Sequence, residues 1–363
     1  MTTAEDRLNL LRQIMAQENV TLVTLGPGAH MQWLLGFHPH ADERPCLLCI
    51  SHNGSAFLMP ALNAEGTRES TDLTFYEWDD AAGPNSALQH LLTDLKVGGK
   101  ANLALDETMR ADFAALIQKA LPQARRQFLT STVGALRMRK DDDEYKRLKR
   151  NAKIADNAMQ VAWQVLKAGM RENDVAAVIR KSFADQGAEA KFHIIGASKN
   201  SAYPHHQTGD TILKEGDALV MDIGGTSEGY FSDITRMVVL SEPPEGYNLI
   251  HQTVDRAVKA ALQAARPGVR ACNVDAAARG VITDAGYGEY FVHRTGHGLG
   301  SEVHEQPYLT STSETVLEEG MVFSIEPGIY LPGRFGVRLE EIVILRSDGP
   351  EILSELPRTL NIL

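Results

Sequence analysis

Apolar residues recur at spacings of three and four along EDRLNLLRQIMAQ (residues 5–17), which predicts an amphipathic helix. VTLVTL (20–25) reads as a strand and ends in a Gly26-Pro27 turn. PCLLCIS (45–51) and AFLMPAL (56–62) flank His52-Asn53-Gly54-Ser55, a hairpin signal. LTFYEW and ANLALD predict further strands, and SALQHLLTDLK and MRADFAALIQKAL predict helices beside them. Such alternation implies a small α/β domain over residues 1–130. The composition then shifts to a charge-dense stretch, which places a linker at 131–140 and a second domain at 141–363.

That domain opens on a long helix. Tyr145, Leu148, Ala152, Ala155, Met159, Ala162 and Leu166 fall three or four apart, and Asp141–Asp143 supply N-caps and negative charge at the positive helix end. Its charge run reads as a solvated face. NDVAAVIRKSFADQG predicts a second helix. The β-like stretches DALVMDIG, GYFSDITRMVVL, GMVFSIEPGIYL and GVRLEEIVIL follow, interrupted by the helical YNLIHQTVDRAVKAALQAAR and a shorter helix around VDAAARGVITDAG. This is an α+β pattern: a mostly antiparallel sheet with helices on one side. Helix pair followed by strands, twice over, gives a weak internal two-fold likeness.

Composition narrows the class. A formal charge of −11 argues against a nucleic-acid binder, which carries a basic face. No apolar run approaches the ~18–20 residues that span a bilayer. The acidic, helical start differs from a signal peptide, and the three cysteines exclude a disulfide scaffold and suit a reducing, cytoplasmic setting. Cys46-x-x-Cys49 lacks a second pair to complete a zinc site and reads as two apolar strand residues.

The chemistry concentrates in FVHRTGHGLGSEVHEQP (291–307), which brings His293, His297 and His304 together among glycines. Asp222 lies in VMDIGG, Asp233 in FSDITR, Glu326 in SIEPG and Glu340 in VRLEE. Carboxylates in apolar β-like surroundings are costly to bury uncompensated, and a cation cluster compensates them. A hairpin places the two aspartates side by side. Strand alternation puts Arg338 and Glu340 on one face, with Leu339 and Glu341 on the other. Four carboxylates and one imidazole form a hard donor set suited to Mn²⁺, Co²⁺, Fe²⁺ or Zn²⁺. So many carboxylates suggest two ions sharing bridging ligands. Two such ions ~3.5–4 Å apart hold a hydroxide nucleophile at neutral pH.

In order and spacing these motifs resemble the pita-bread metallopeptidases, the family of methionine aminopeptidase, aminopeptidase P, prolidase and creatinase. Asp233 lies 11 positions after Asp222, His297 64 after that, Glu326 29 further on and Glu340 another 14. These gaps look like those of a short microbial prolidase. The resemblance covers about 140–363, and the N-terminal part resembles the creatinase/prolidase type. It implies a pita-bread catalytic domain behind a smaller α/β domain. It also implies hydrolysis of the bond before proline in Xaa-Pro dipeptides, two divalent metal ions (Mn²⁺ first, Co²⁺ or Zn²⁺ as alternatives) and a homodimer.

Carried over residue by residue, Asp222, Asp233, His297, Glu326 and Glu340 would hold metal, with Glu326 also moving a proton. His205 in YPHHQTG and His304 would steady the carbonyl oxygen. His293 would line the substrate pocket, and Arg338 would anchor a substrate carboxylate or orient Glu340. Prolidases usually place an arginine shortly after the His304 position. Here 305–325 holds no Arg or Lys, and Tyr308 stands near that place. That departure keeps open an Xaa-Pro aminopeptidase acting on longer peptides. A catalytically inactive peptide-binding module is the remaining reading, disfavoured because all five ligand positions are filled. His206 reads as a surface or packing residue. His38 and His40 read as part of a solvated loop, the alternative being a loop that reaches a partner subunit's pocket. Gly224-Gly225 reads as a hairpin turn.

Overall fold

The computed structural model describes residues 3–363 and divides into two compact units, Met1–Arg137 and Met138–Leu363. The first unit runs α1 (Ala4–Gln17), β1 (Leu22–Leu25), α2 (Ala29–Leu35), β2 (Leu47–Ser51), β3 (Gly54–Pro60) and α3 (Ala61–Arg68). It continues with β4 (Thr74–Trp78), α4 (Asn85–Asp94), β5 (Asn102–Leu105), α5 (Ala111–Ala120), β6 (Arg125–Phe128) and α6 (Val133–Met138). One mixed sheet, ordered β4-β3-β2-β1-β5-β6, carries helices on both faces. Leu11, Met15 and Met31 pack on the face that shows Val23, Leu48 and Phe57. Leu91, Phe113 and Ile117 pack on the face that shows Leu22, Cys49 and Leu58.

Period-two alternation thus splits Cys46 and Cys49 between opposite faces of the sheet, where they cannot share a metal. Burial pushes both thiols up to about 12. The stretch expected to be a linker, 131–140, includes α6, and Val133 is buried in the first unit's core.

In the second unit, α7 (Asp142–Val165) and α8 (Glu172–Asp185) precede β7 (Glu189–Ala197), β8 (Ala218–Ser227) and β9 (Tyr230–Val239). Asp141 caps α7 in a capping box with Glu144, worth about 1 kcal/mol. Then come α9 (Tyr247–Ala264), α10 (Ala271–Asp284), β10 (Gly296–Gly298), β11 (Glu305–Leu309), β12 (Val322–Ile325), β13 (Gly328–Leu331) and β14 (Phe335–Arg338). The chain ends with β15 (Glu341–Arg346), β16 (Gly349–Ile352) and β17 (Asn361–Ile362). Where a single sheet was expected, the strands divide into two sheets, β17-β9-β8-β7 and β11-β10-β12-β15-β16, and a β13-β14 ribbon. Among the described residues only the β17–β9 pairing in this unit is parallel.

Register positions the chemistry. Asp222 pairs with Thr235 and Gly224 with Asp233, so the two aspartates share one face of the β8–β9 hairpin, diagonally placed. Met221, Ile223 and Ile234 take the other face and meet α7 and α8. The turn lies at Glu228-Gly229, whose φ values of 52° and 76° demand the left-handed region. Gly224 and Gly225 are inside β8, contrary to the turn read from sequence. A Cβ on Gly224 would meet the Phe192 ring at 2.2 Å, and one on Gly225 would meet Phe183 at 2.4 Å. Those glycines make room for aromatic rings.

Candidate metal centre

One cavity of about 530 Å³ gathers nearly every residue singled out above: Asp222, Asp233, His297, Glu326, Glu340, His205, His293, His304 and Arg338 all line it. The exception is Tyr308. It pairs with His297 across β10–β11, and its ring lies beneath the Arg294 guanidinium, 4.5 Å from ring centre to Cζ. Arg294, passed over in the sequence, is the residue that lines the cavity there.

The local fold fixes each donor. The His297 N–H donates to Ser324 Oγ at 2.9 Å, and its ring Nδ1 donates to the Gly298 carbonyl at 3.1 Å. That bond fixes the ring's orientation and directs Nε2 toward the carboxylates. Nε2 lies 3.1 Å from Glu326 Oε1 and 3.8 Å from Asp233 Oδ2. Asp233, His297 and Glu340 each offer one ligand atom, all within 4.8 Å of one another. Two glycines make the approach possible: a Cβ on Gly296 would sit 1.9 Å from the Ser324 carbonyl oxygen, and one on Gly298 would sit 2.1 Å from that of Gln306.

Among the described residues, Asp222 Oδ1, Asp233 Oδ1 and Glu340 Oε1 are buried with no hydrogen-bond partner. Buried acceptors are nearly always satisfied, so three orphans in one cavity fit a missing cationic partner. Burial, with Glu340 and Asp222 nearby, pushes Asp233 well above the usual carboxylate range. Burial, with Glu326 and Asp222 nearby, does the same to Glu340, and burial raises Asp222 against the pull of Arg338. Glu326 goes the other way. Burial opposes its charge, but the hydrogen bond and charge of His297 outweigh it and hold the group at about 2. The donor set fits divalent cations.

Around the donors lies a fixed frame. Arg338 donates to Asp222 Oδ2 at 2.5 Å, to Thr235 Oγ1 at 3.2 Å and to Tyr330 Oη at 2.8 Å. Thr235 in turn donates to Glu340 Oε2 at 2.8 Å. Tyr330 meets His293 Nε2 at 2.8 Å, while Nδ1 of that ring donates to the Arg294 carbonyl at 2.7 Å. Burial lowers His293. The His304 ring stacks edge-on against His297 at 4.2 Å, and local desolvation with the His297 charge brings it down to about 4. Both histidines are therefore neutral near pH 7. Tyr330, Thr235 and Ser324 were not legible as site residues; only the proximity of Tyr330 to SIEPG hinted at it. Phe192, Ile194 and Val303 make the remaining wall apolar.

Two family models match the chain. The model of metallopeptidase family M24 matches residues 146–347, and that of the creatinase/prolidase N-terminal domain matches 7–139. A probable dipeptidase, PepE, of Mycobacterium tuberculosis is 36% identical over 361 residues, 98% of this chain and 95% of the relative. An Xaa-Pro dipeptidase of Pyrococcus horikoshii is 30% identical over 362 residues, 99% of this chain and 100% of the relative. The crystal structure of dipeptidase PepE from Mycobacterium ulcerans superimposes with a TM-score of 0.94 at 35% identity, covering 99% of this chain and 98% of that one. The chain belongs to metallopeptidase family M24, with a creatinase-like N-terminal domain ahead of a pita-bread domain.

Proposed function

We propose that this M24 metallopeptidase hydrolyses the peptide bond before proline in Xaa-Pro dipeptides. The observation that carries the reading is the set of orphaned carboxylate oxygens beside an imidazole anchored through Nδ1, at the wall of a cavity lined otherwise by apolar residues, histidines and two arginines. Asp222, Asp233, His297, Glu326 and Glu340 would hold two divalent cations, Mn²⁺ by preference for an oxygen-rich donor set, with Co²⁺ or Zn²⁺ as competitors. Bound there, the cations supply Lewis acidity and an activated water at neutral pH.

The chain's own groups do the rest. His304 and His205 face the same space and donate to the scissile carbonyl oxygen as charge grows on it. Glu326, ionised at neutral pH, accepts a proton from the attacking water and passes it to the proline nitrogen as the C–N bond breaks. Arg338 is fully engaged by Asp222, Thr235 and Tyr330 and therefore orients that frame. Arg294 lines the cavity with no hydrogen bond from its guanidinium among the described residues; it takes the substrate's C-terminal carboxylate.

Steady-state hydrolysis of Met-Pro, Ala-Pro and Ala-Pro-Ala by chelator-stripped protein, with and without Mn²⁺ or Co²⁺, tests the proposal. Metal-dependent cleavage of the dipeptides alone is expected. Cleavage of the tripeptide would make the chain an Xaa-Pro aminopeptidase, and no cleavage of any would leave a binding module. The homodimer and the cytoplasmic setting belong to the same proposal, and light scattering and cell fractionation measure them.

A further inference from the structure

His205 occupies the cavity wall without a hydrogen bond from its ring to any described residue. Something else must hold its loop. On its N-terminal side the Pro204 carbonyl accepts from Arg338 Nη1 at 3.3 Å. On its C-terminal side His206 turns away from the cavity and donates through Nε2 to Glu172 Oε2 at 2.9 Å. Glu172, in the first turn of α8, is completely buried. It also accepts from the Gly209 N–H at 3.1 Å, the Ala197 N–H at 2.9 Å and Asn200 Nδ2 at 2.9 Å. One carboxylate thus ties both ends of the 197–209 segment to a helix outside the cavity. A buried carboxylate with four donors is satisfied only while that segment keeps this path, so each oxygen acts as a two-point template.

We propose that Glu172 and His206 are positioning residues: their buried pair sets where His205 stands in the cavity. The catalytic part rests on the Xaa-Pro hydrolase reading; the geometric part does not. His206→Ala should lower kcat/KM roughly ten- to hundredfold, mostly through kcat, because displacement by about an ångström costs that much. Bound metal per chain should equal that of the unaltered protein. In a His205→Ala background the same substitution should change nothing further, since its effect passes through His205. Costs that add in the double variant, or activity within about twofold of the unaltered protein, would overturn the proposal.

Hydrogen exchange on metal-free protein separates this from a failure of the functional reading. In His206→Ala, and in Glu172→Gln, which keeps the side chain's volume, the amides of Tyr203 and of residues 205–209 should exchange at least about tenfold faster, with those of Ala218–Ser227 unaffected. Unchanged exchange at 203–209 would sink the anchor itself, whatever the protein cleaves.

Discussion

The two faces of the β8–β9 hairpin bury charge in opposite ways. On the cavity face, Asp222, Asp233, Glu326 and Glu340 surround Arg338, and three carboxylate oxygens have no partner among the described residues. On the other face Arg236, 1% exposed, donates twice to Glu341 at 3.1 Å and to the Leu356 and Pro357 carbonyls at 2.7 and 3.1 Å. Arg358 adds a bond to Glu341 at 2.8 Å and one to Asp255 at 2.9 Å. Glu340 and Glu341 are neighbours in sequence and nearly equally buried, yet one belongs to an incomplete cluster and the other to a closed one. Burial alone does not mark a functional carboxylate; an unanswered oxygen does.

The sharpest way to break this contrast is to neutralise each glutamate in turn. Glu340→Gln should cut metal-dependent hydrolysis by roughly a hundredfold or more, since removing even an outer partner of a metal site costs 10–100-fold. The same change removes one of the mutually repelling charges, so the metal-stripped variant should melt above the stripped parent. Glu341→Gln should do the reverse. It weakens the partner of a buried guanidinium and should destabilise the fold by roughly 3 kcal/mol, with activity per folded molecule largely kept. Calorimetry and kinetics on both variants decide the matter; matching profiles would erase the distinction.

Metal removal across pH gives the next largest effect. In the metal-free chain Asp222, Asp233 and Glu340 are raised above their ordinary values. The folded state then holds their protons more tightly than the unfolded chain does. Their contribution is therefore present at low pH and lost as pH rises through the raised values. Cations require the ionised forms, so their affinity moves the opposite way. The gap in Tm between Mn²⁺-loaded and chelator-stripped protein should widen steadily from about pH 5.5 to about 7.5. A gap that narrows over this range would mean these groups are not the ligands.

How much of this contrast was visible in the sequence follows from what each signal depends on. The β8–β9 ladder and α7 were legible because alternation, periodicity and the Asp141 cap are local. The donor residues were legible because type, order and spacing together are specific, and the fold brings those positions to one cavity. The closed network was not: nothing in ITRMVVL says that Arg236 will meet a carboxylate 105 residues away. Strand β7 was missed because Lys191 and His193 dilute its apolar pattern, although Ile195 and Ala197 are buried. Gly224-Gly225 was misread because the rings they accommodate, Phe192 and Phe183, come from other elements. His206 read only as a surface or packing residue because its partner, Glu172, lies 34 residues back.

Arginines sharpen the comparison at a smaller scale. Arg294→Ala should raise KM for Ala-Pro about tenfold or more while leaving KM for Ala-Pro amide nearly constant, because only the free carboxylate loses a charged partner, an interaction worth about 1.5–3 kcal/mol. Equal losses on both substrates would assign Arg294 to packing over Tyr308. The smallest effect belongs to an ion pair with neither burial nor orphaned atoms. Lys181 meets Asp185 at 2.6 Å on the surface of α8, with side chains 74% and 60% exposed. Water screens both charges, and holding two long side chains together costs entropy, so Lys181→Ala should shift stability by less than about 0.5 kcal/mol and leave kcat/KM unaltered. That pair is shorter than any contact between Glu341 and its arginines, yet it should matter least. If Lys181→Ala cost as much as Glu341→Gln in urea melts, distance rather than desolvation would set the worth of a charge pair here, and the contrast between the two hairpin faces would lose its physical basis.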